Sequence, residues 1–282
     1  MRMLRLALDF ILLFGLILEG IGFYYGKKER HLFRSSGWIL LGIYWPTQAP
    51  DFLGVGDFTN AFFCLMALPF FFYLAYHEII SYRAGEEHRG LKFIAGAAFL
   101  AGFPYFLIDR IPILAGSLIS VVAGQSIWLF NLMTGNSFTV MPVDYFGNSL
   151  WYKTDMVNEI GALVPQANIR IVLACTAIQS ILIAFGIIVA SSSDWRKKEK
   201  ALLLNIPVIY FLNLIRNAGV IYLTYYHITD FETAHNAIGK GGSLIALIIL
   251  LFITFEIMPE LYDDIASLAH LHERFNRLKR SL

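Results

Sequence analysis

Three side chains in the C-terminal half of the sequence could together perform acyl transfer. Cys175, Arg216 and His235 lie within or beside three successive apolar runs. A cysteine attacks as its thiolate, which a neighbouring arginine or protonated histidine favours even in an apolar site. A histidine can carry a proton to a leaving amine, and an arginine can stabilise an oxyanion. The set therefore predicts cleavage of an acyl bond through a thioester.

Each of these residues also has a simpler interpretation. A lone membrane cysteine is usually a small packing residue, which is how we interpret the other cysteine, Cys64. An arginine in a span can neutralise a carboxylate, and a histidine at a helix mouth can be merely interfacial. From the residues alone, chemistry and packing both remain open.

Composition determines the environment in which these residues work. The 282 residues are 57% hydrophobic and 15% charged, with a net charge of +1, whereas soluble domains carry about 25% charged residues. This excludes an ordinary soluble domain and a disordered chain, and two cysteines exclude a disulfide scaffold. The sequence has no HExxH, GxSxG or Walker A motif and no metal-ligand cluster, so we expect no metal and no cofactor.

The apolar runs predict an all-α, polytopic transmembrane bundle of about seven to eight helices, forming one domain over residues 1–282. The first run lacks a signal-peptide cleavage site, so we interpret it as a retained helix. The predicted runs are 6–25, 58–80, 91–108, 111–133, 169–190, 201–224 and about 237–258.

Basic clusters predict the orientation. By the positive-inside rule, the clusters at 27–34, 81–92, 194–200 and 274–280 are cytoplasmic. The chain must cross an even number of times between the second and third clusters, yet three apolar runs lie there. We expect the most polar of them, 111–133, to lie along the outer surface or re-enter; alternatively it spans and another run does not. The N-terminus is then outside and the C-terminus inside.

Two segments are predicted to lie outside the lipid. Residues 134–168 form a polar outer-face segment, in which β-formers on both sides of Gly147–Asn148 predict either a small hairpin or an irregular loop. The tail 259–282 has apolar residues on one helical face and basic residues at its end. We expect a cytoplasmic amphipathic helix, either on the inner leaflet or solvated.

In this arrangement the three reactive side chains share a depth. Cys175 lies about 9 Å below the outer end of its span and Arg216 about 12 Å, at 1.5 Å per residue, and His235 lies at the outer mouth of the last span. Gln179 and Asn213 are each one turn from a reactive residue. Both are predicted to orient that residue, or simply to be polar contacts between helices.

The motifs around these residues resemble the exosortase/archaeosortase family of membrane cysteine transpeptidases, most closely its archaeal members. The resemblance rests on Leu-Ala-Cys-Thr-Ala-Ile-Gln-Ser at 173–180, Leu-Asn-Leu-Ile-Arg-Asn at 212–217, Ala-His-Asn at 234–236 and Val-Ala-Gly-Gln at 122–125. It implies that Cys175 is the nucleophile, Arg216 its electrostatic partner and His235 the third member. Asn217 falls in a matched motif, and Lys240, one turn beyond His235, is an alternative third member.

The resemblance also implies the substrates. Family members recognise secreted proteins by a C-terminal Pro-Gly-Phe-type motif, a transmembrane helix and a basic tail, and cleave near the motif on the outer face. Archaeal members are thought to pass the new C-terminus to a membrane lipid, which anchors surface-layer glycoproteins. No nucleic acid is involved.

A different class of protein competes with this interpretation. In a multi-pass transporter or lipid-binding membrane protein, Arg216 and His235 would line a polar path. A transporter predicts inverted repeats and broken helices near the midplane, and the sequence shows neither.

Overall fold

A computed structural model describes residues 2–54, 56–143, 151–154, 169–271 and 273. This part of the chain contains ten α-helices: α1 (Arg2–Tyr24), α2 (Arg30–Tyr44), α3 (Ala49–Gly54), α4 (Phe58–Ala84), α5 (Arg89–Arg110), α6 (Pro112–Thr134), α7 (Ile178–Ala190), α8 (Trp195–Tyr225), α9 (Gly241–Ile257) and α10 (Pro259–Ala269). Short 3₁₀ turns occupy Trp45–Gln48 and Leu173–Cys175, and a π-helix occupies Thr233–Lys240.

Six helical segments of the described chain are long and apolar enough to cross a membrane: Ala7–Tyr24, Phe58–Ala84, Arg89–Arg110, Pro112–Thr134, Trp195–Tyr225 and Thr233–Ile257. The prediction of a polytopic helical bundle is therefore confirmed. Local signals explain where such helices begin and end. Asp57 caps α4 by accepting a hydrogen bond from the Asn60 amide at 3.1 Å, and Gly85 ends it in the left-handed conformation.

Two of the predicted runs need comment. The run 111–133 is a continuous helix, α6, whose length and composition both allow a crossing; its predicted place along the outer surface stays a prediction. The run 169–190 was wrong as a single helix, because only Ile178–Ala190 is α-helical. Its first residues form a strand and a 3₁₀ turn, so the depth calculated for Cys175 along a helix does not apply.

A small sheet precedes that turn. Strands β1 (Met141–Val143), β2 (Trp151–Thr154) and β3 (Ile169–Ile171) pair in the order β1-β2-β3, and both pairs are antiparallel. The antiparallel pairing of β1 with β2, with Met141 opposite Lys153, agrees with the predicted hairpin. The predicted turn at Gly147–Asn148 lies outside the described residues.

Contacts group the chain into two compact units, and the prediction of a single domain stays a prediction. The first unit comprises 1–104, 185–198 and 258–282. Its centre, where α2 packs on α1 and α4, holds buried charges. His31 Nδ1 lies 2.6 Å from Glu78 Oε2, and the Arg34 guanidinium pairs with Glu78 at 3.1 Å and with Glu87 at 2.6 Å.

These buried charges alter the interpretation of the first basic cluster. Arg34 belongs to the cluster that the sequence assigns to the cytoplasmic side, and in the structure it is 0% exposed and paired with carboxylates. Glu19 on α1 is also 0% exposed, and within the described residues neither of its side-chain oxygens has a hydrogen-bond partner. Gly37 is required beside it, since a β-carbon there would lie 2.3 Å from Glu19 Oε1.

A second polar cluster in this unit holds α10. Asp264 is fully buried and accepts hydrogen bonds from the Ser191 hydroxyl at 2.9 Å and the Ser192 amide at 2.8 Å. Leu261 is buried as well. The predicted tail helix is therefore present over Pro259–Ala269, but part of its apolar face packs on protein rather than facing lipid or solvent. Residues 274–282 of the predicted tail lie outside the described part.

An exposed ion pair adds to this cluster. Lys197 donates to Glu260 at 2.5 Å and Ser193 donates to it at 3.0 Å, and these bonds lower the pKa of Glu260 to about 2. Because this pKa is lower in the folded than in the unfolded chain, the contribution to stability is complete above about pH 4.3 and is lost as the pH falls towards 2.

The second unit, residues 105–184 and 199–257, carries every residue of the predicted site. In it α9 runs antiparallel to α8. Asn205 of α8 donates to the Thr254 hydroxyl at 2.9 Å, and Ile209 of α8 packs in one apolar cluster with Leu250 of α9 and Ala177. These contacts fix α8 against α9 and against the segment that contains Ala177.

Candidate functional site

Cys175 lies on a tight turn between β3 and α7. Its amide donates to the Val172 carbonyl at 2.8 Å, and the Thr176 hydroxyl donates to the Leu173 carbonyl at 2.7 Å. Ala177 then adopts a left-handed backbone conformation with φ +63°, which a residue with a β-carbon adopts at a cost of about 1–2 kcal/mol. This reversal separates the cysteine from the helix that follows it.

The cysteine side chain is enclosed by apolar groups. Cys175 is 8% exposed and packs in one cluster with residues of β3, its own 3₁₀ turn and α6, namely Ile171, Leu173, Ala115, Ile119 and Ala123. Within the described residues its thiol has no hydrogen-bond partner. Apolar packing therefore positions the side chain of the predicted nucleophile, whereas hydrogen bonds position its backbone.

Two asparagines of α8 provide those polar contacts. Asn213 Nδ2 donates to the Cys175 carbonyl at 2.8 Å, and Asn217 Nδ2 donates to the same oxygen at 3.0 Å. The two are four residues apart, so they lie on one face of the helix. Asn217 Nδ2 also lies 3.3 Å from the Ser126 hydroxyl of α6. Both asparagines are buried, so their bonds fix the cysteine turn against α8.

Arg216 immediately precedes Asn217 on the same helix. The residue is half-buried, and its Nε is fully buried with no hydrogen-bond partner among the described residues. Its guanidinium also forms no ion pair within the described part of the chain. A half-buried cation without a carboxylate is incompletely solvated, so this position favours a group that carries negative charge only during a reaction or a binding event.

His235 lies on the π-helix that leads into α9. Asp230 caps this segment by accepting from the Thr233 amide and hydroxyl, each at 2.8 Å. The imidazole is half-buried and stacks on Phe231, with ring centroids 5.4 Å apart and planes 14° apart. Single π-helical turns occur often at functional sites. His235 was expected at the outer mouth of the last span, and it lies in the first turn of the candidate span Thr233–Ile257; that this end faces outward stays a prediction.

The π-helix also brings His235 to Arg216. The positive charges of Arg216 and Lys240 both act on the imidazole. Gly239 allows this segment to pack closely on α8, because a β-carbon there would lie 3.3 Å from Val220 Cγ2. Arg216 Cγ would be 3.6 Å away, an ordinary van der Waals distance. Lys240 lies five residues after His235, about one turn of a π-helix, and its side chain is exposed.

The structure thus brings together most of the predicted site residues. Asn213 and Asn217 contact the Cys175 carbonyl, and the positive charge of Arg216 acts on the His235 imidazole. Gln179 is different: it is exposed on α7 and forms no hydrogen bond with the described residues. The helical turn that was to join it to Cys175 is interrupted at Ala177, so its supporting role stays a prediction without a contact.

Sequence reasoning missed several residues that shape the site. Ser126, Ala177 and Gly239 each contribute through a position in space that no spacing rule reveals. Gln125 was noticed only within a motif; in the structure it accepts a hydrogen bond from the Tyr210 hydroxyl of α8. Among the described residues, no group of three or more His, Cys, Asp or Glu side chains could hold a metal ion.

Comparison with known proteins agrees with this arrangement. The model of the transmembrane exosortase family matches residues 10–253, which include every residue of the site. Archaeosortase A of Haloferax volcanii is 23% identical over 275 residues, a match that covers 86% of this chain and 87% of that protein. No solved structure matches the chain. Because the family model covers most of the sequence, the chain belongs to the transmembrane exosortase family.

Proposed function

We propose that this protein is a membrane cysteine peptidase and transpeptidase that cleaves the C-terminal sorting signal of secreted surface proteins. Family membership supports a membrane enzyme that processes or sorts proteins. One observation carries the finer proposal. On α8, Arg216 lies in sequence between Asn213 and Asn217, the two residues that hydrogen-bond to the Cys175 carbonyl, and its guanidinium has no counter-ion among the described residues.

The reaction begins at Cys175. Its thiolate attacks the carbonyl carbon of the scissile peptide bond and forms a tetrahedral intermediate with a negative oxygen. Arg216 stabilises that oxygen, which supplies the negative charge that its surroundings lack. Because the two asparagines fix the backbone of the nucleophile, the sulfur stays in place while the charge develops.

His235 moves the proton. It takes the proton of the Cys175 thiol as the thiolate forms. As the tetrahedral intermediate collapses, the carbon–nitrogen bond breaks and the imidazolium gives this proton to the leaving amine. The acyl group remains on Cys175 as a thioester. An acceptor hydroxyl or amine then attacks the thioester, His235 takes its proton, and the thiolate is released. Lys240 is the alternative third member, five residues further along the π-helix.

The substrates follow from the family. We propose that they are proteins with a C-terminal Pro-Gly-Phe-type motif, a transmembrane helix and a basic tail, and that the acceptor is a membrane lipid. The similarity to archaeosortase A supports such substrates. A substrate helix in the same bilayer diffuses in two dimensions, and an apolar setting around Cys175 limits hydrolysis of the thioester by water.

We further propose that the site faces the outside of the cell membrane and that the C-terminus is cytoplasmic. In the first unit, Arg89 donates to the Ser192 hydroxyl at 2.7 Å and Lys197 pairs with Glu260. These segments were all assigned to the cytoplasmic side by their basic residues, and their mutual contacts support one common side. The helices that start there, α5 and α8, then both run outward.

The contacts of α6 support the proposal that it does not cross. It begins one residue after α5 ends, which is the outer side if α5 runs outward. Its last turns lie beside the end of α8, where Phe130 stacks on Phe138 at 5.7 Å and contacts Tyr225 at 5.7 Å. Both ends of α6 then lie at the outer side.

The two cysteines give a matched test of the nucleophile. Cys175→Ala should lower cleavage of a tagged substrate by at least about 10³-fold, so that full-length substrate accumulates. Cys64→Ala should leave cleavage intact, since Cys64 packs with Ala49 and Ala61. Processing is measured by gel mobility of the tagged substrate in cells. Normal processing in Cys175→Ala would remove the enzyme proposal.

The asparagine contacts predict a separation of activity from stability. Asn213→Ala removes one donor from the Cys175 carbonyl, which should cost about 1–3 kcal/mol of stability and reduce turnover per folded molecule about 10²-fold. Asn205→Ala, two turns earlier on α8, removes a comparable buried bond away from the site. If both variants lose stability and neither loses turnover, Asn213 has only a structural role.

Cysteine labelling tests the topology. In a Cys64→Ala background, Arg110→Cys and Ser137→Cys should both react with a membrane-impermeant thiol reagent added outside whole cells. Arg196→Cys, on an exposed position near the start of α8, should react only after permeabilisation. Labelling of Arg110→Cys and Ser137→Cys from opposite sides would show that α6 crosses.

A further inference from the structure

The imidazole of His235 lacks the hydrogen bond that usually orients a catalytic histidine. Such a histidine is commonly held by a bond from one ring nitrogen to a carboxylate or a carbonyl oxygen. Neither ring nitrogen of His235 forms a hydrogen bond or an ion pair with the residues that the structure describes. A ring that moves protons between fixed atoms must therefore be oriented in another way.

The charged groups around His235 do not supply that bond. Asp230 uses one oxygen for the Thr233 amide and the other for the Thr233 hydroxyl, each at 2.8 Å. Glu232 is exposed and has no ion pair in the described part of the chain. The two side chains whose charges act on the imidazole are both basic. No carboxylate among the described residues therefore takes the orienting role.

A flat aromatic ring contacts the imidazole instead. Phe231 stacks on His235 with ring centroids 5.4 Å apart and planes 14° apart. Nearly parallel rings at this separation are offset, an arrangement that aromatic pairs prefer to a face-to-face sandwich. The two residues are four positions apart, so both rings project from one face of the helical segment. Stacking of this kind fixes the plane of the imidazole and leaves both of its nitrogens free at the edge.

We propose that Phe231 is a positioning residue that orients the His235 imidazole for proton transfer. The plane of the ring sets the directions in which Nδ1 and Nε2 point. It therefore decides whether a ring nitrogen meets the proton of the Cys175 thiol and, later, the leaving amine. Phe231 exchanges no proton itself and acts only through the imidazole. The catalytic role of His235 rests on the proposed function, whereas the orientation of its ring by Phe231 does not.

Kinetics of Phe231 variants test this role. Phe231→Leu keeps an apolar side chain but loses the flat face, so kcat should fall about tenfold with little change in KM. Phe231→Tyr keeps the ring and should retain the wild-type kcat. Because Phe231 is 44% exposed, neither change should alter the thermal stability much. Phe252→Leu is the matched control and should leave kcat unchanged, because Phe252 is also exposed but its ring contacts Phe255, at 6.3 Å, rather than a histidine.

A double variant tests whether Phe231 acts through the imidazole. His235→Ala should lower kcat by about 10²–10⁴-fold, and the addition of Phe231→Leu should lower it no further, since the ring that Phe231 orients is gone. A further tenfold loss in the double variant would show that Phe231 acts elsewhere and would overturn the inference. Wild-type kcat in Phe231→Leu, beside an impaired His235→Ala, would overturn it as well.

Experimental structures separate this inference from the proposed function. The His235 ring should lie parallel to Phe231 in the wild type and take a different or an unordered position in Phe231→Leu. An unchanged His235 ring in Phe231→Leu would overturn the inference whatever the enzyme does. Wild-type kcat in His235→Ala would instead remove His235 from the proposed function, and the catalytic value of its positioning with it. Equal processing by wild type and Cys175→Ala would remove the proposed function altogether.

Discussion

The arrangement of the site depends on the two hydrogen bonds that Asn213 and Asn217 donate to the carbonyl of Cys175. The cysteine lies on a turn between a short strand and a helix, so no regular hydrogen-bond ladder fixes it. The asparagines replace that ladder. Because Arg216 lies between them in the chain, one helix positions both the backbone of the nucleophile and the Cα from which the Arg216 side chain extends. His235 is placed by a different element, a π-helix whose Gly239 packs closely on Val220 of α8.

The buried charges of the two units differ in a way that separates structure from chemistry. In the first unit Arg34 is completely buried, yet two carboxylates and a histidine surround it, so its charge is compensated. In the second unit Arg216 has no such partner among the described residues. The charge of Arg34 is neutralised by its ion pairs, whereas a half-buried unpaired cation such as Arg216 keeps its positive charge available to a substrate. The unpaired guanidinium is therefore the better indicator of function, although Arg34 is the more deeply buried.

Much of the fold follows from the length of the apolar runs, because a long apolar segment in lipid can satisfy its backbone hydrogen bonds only as a helix. The runs at 58–80, 91–108 and 201–224 became helices with nearly those bounds. Apolar run length failed at 169–177, where residues 169–171 pair with a strand and residues 173–175 form a 3₁₀ turn instead of continuing a helix. It also could not reveal Ala177, since alanine carries no signal for a left-handed turn, or the burial of Arg34 and Glu19, which depends on three helices meeting. The reactive residues were identified by type and motif, but the contacts that orient them required the structure.

The central claim is that Arg216 stabilises the charge that forms when Cys175 attacks. The most direct measurement is the amount of acyl-enzyme formed at Cys175 with a tripartite substrate, followed by intact mass after rapid quenching. Wild type and the exposed control Arg196→Lys should both form the thioester. Arg216→Lys should form it about 10²–10³-fold more slowly, because an ammonium cannot reproduce the planar, multiply donating guanidinium. Acylation of Arg216→Lys at the wild-type rate would contradict the account.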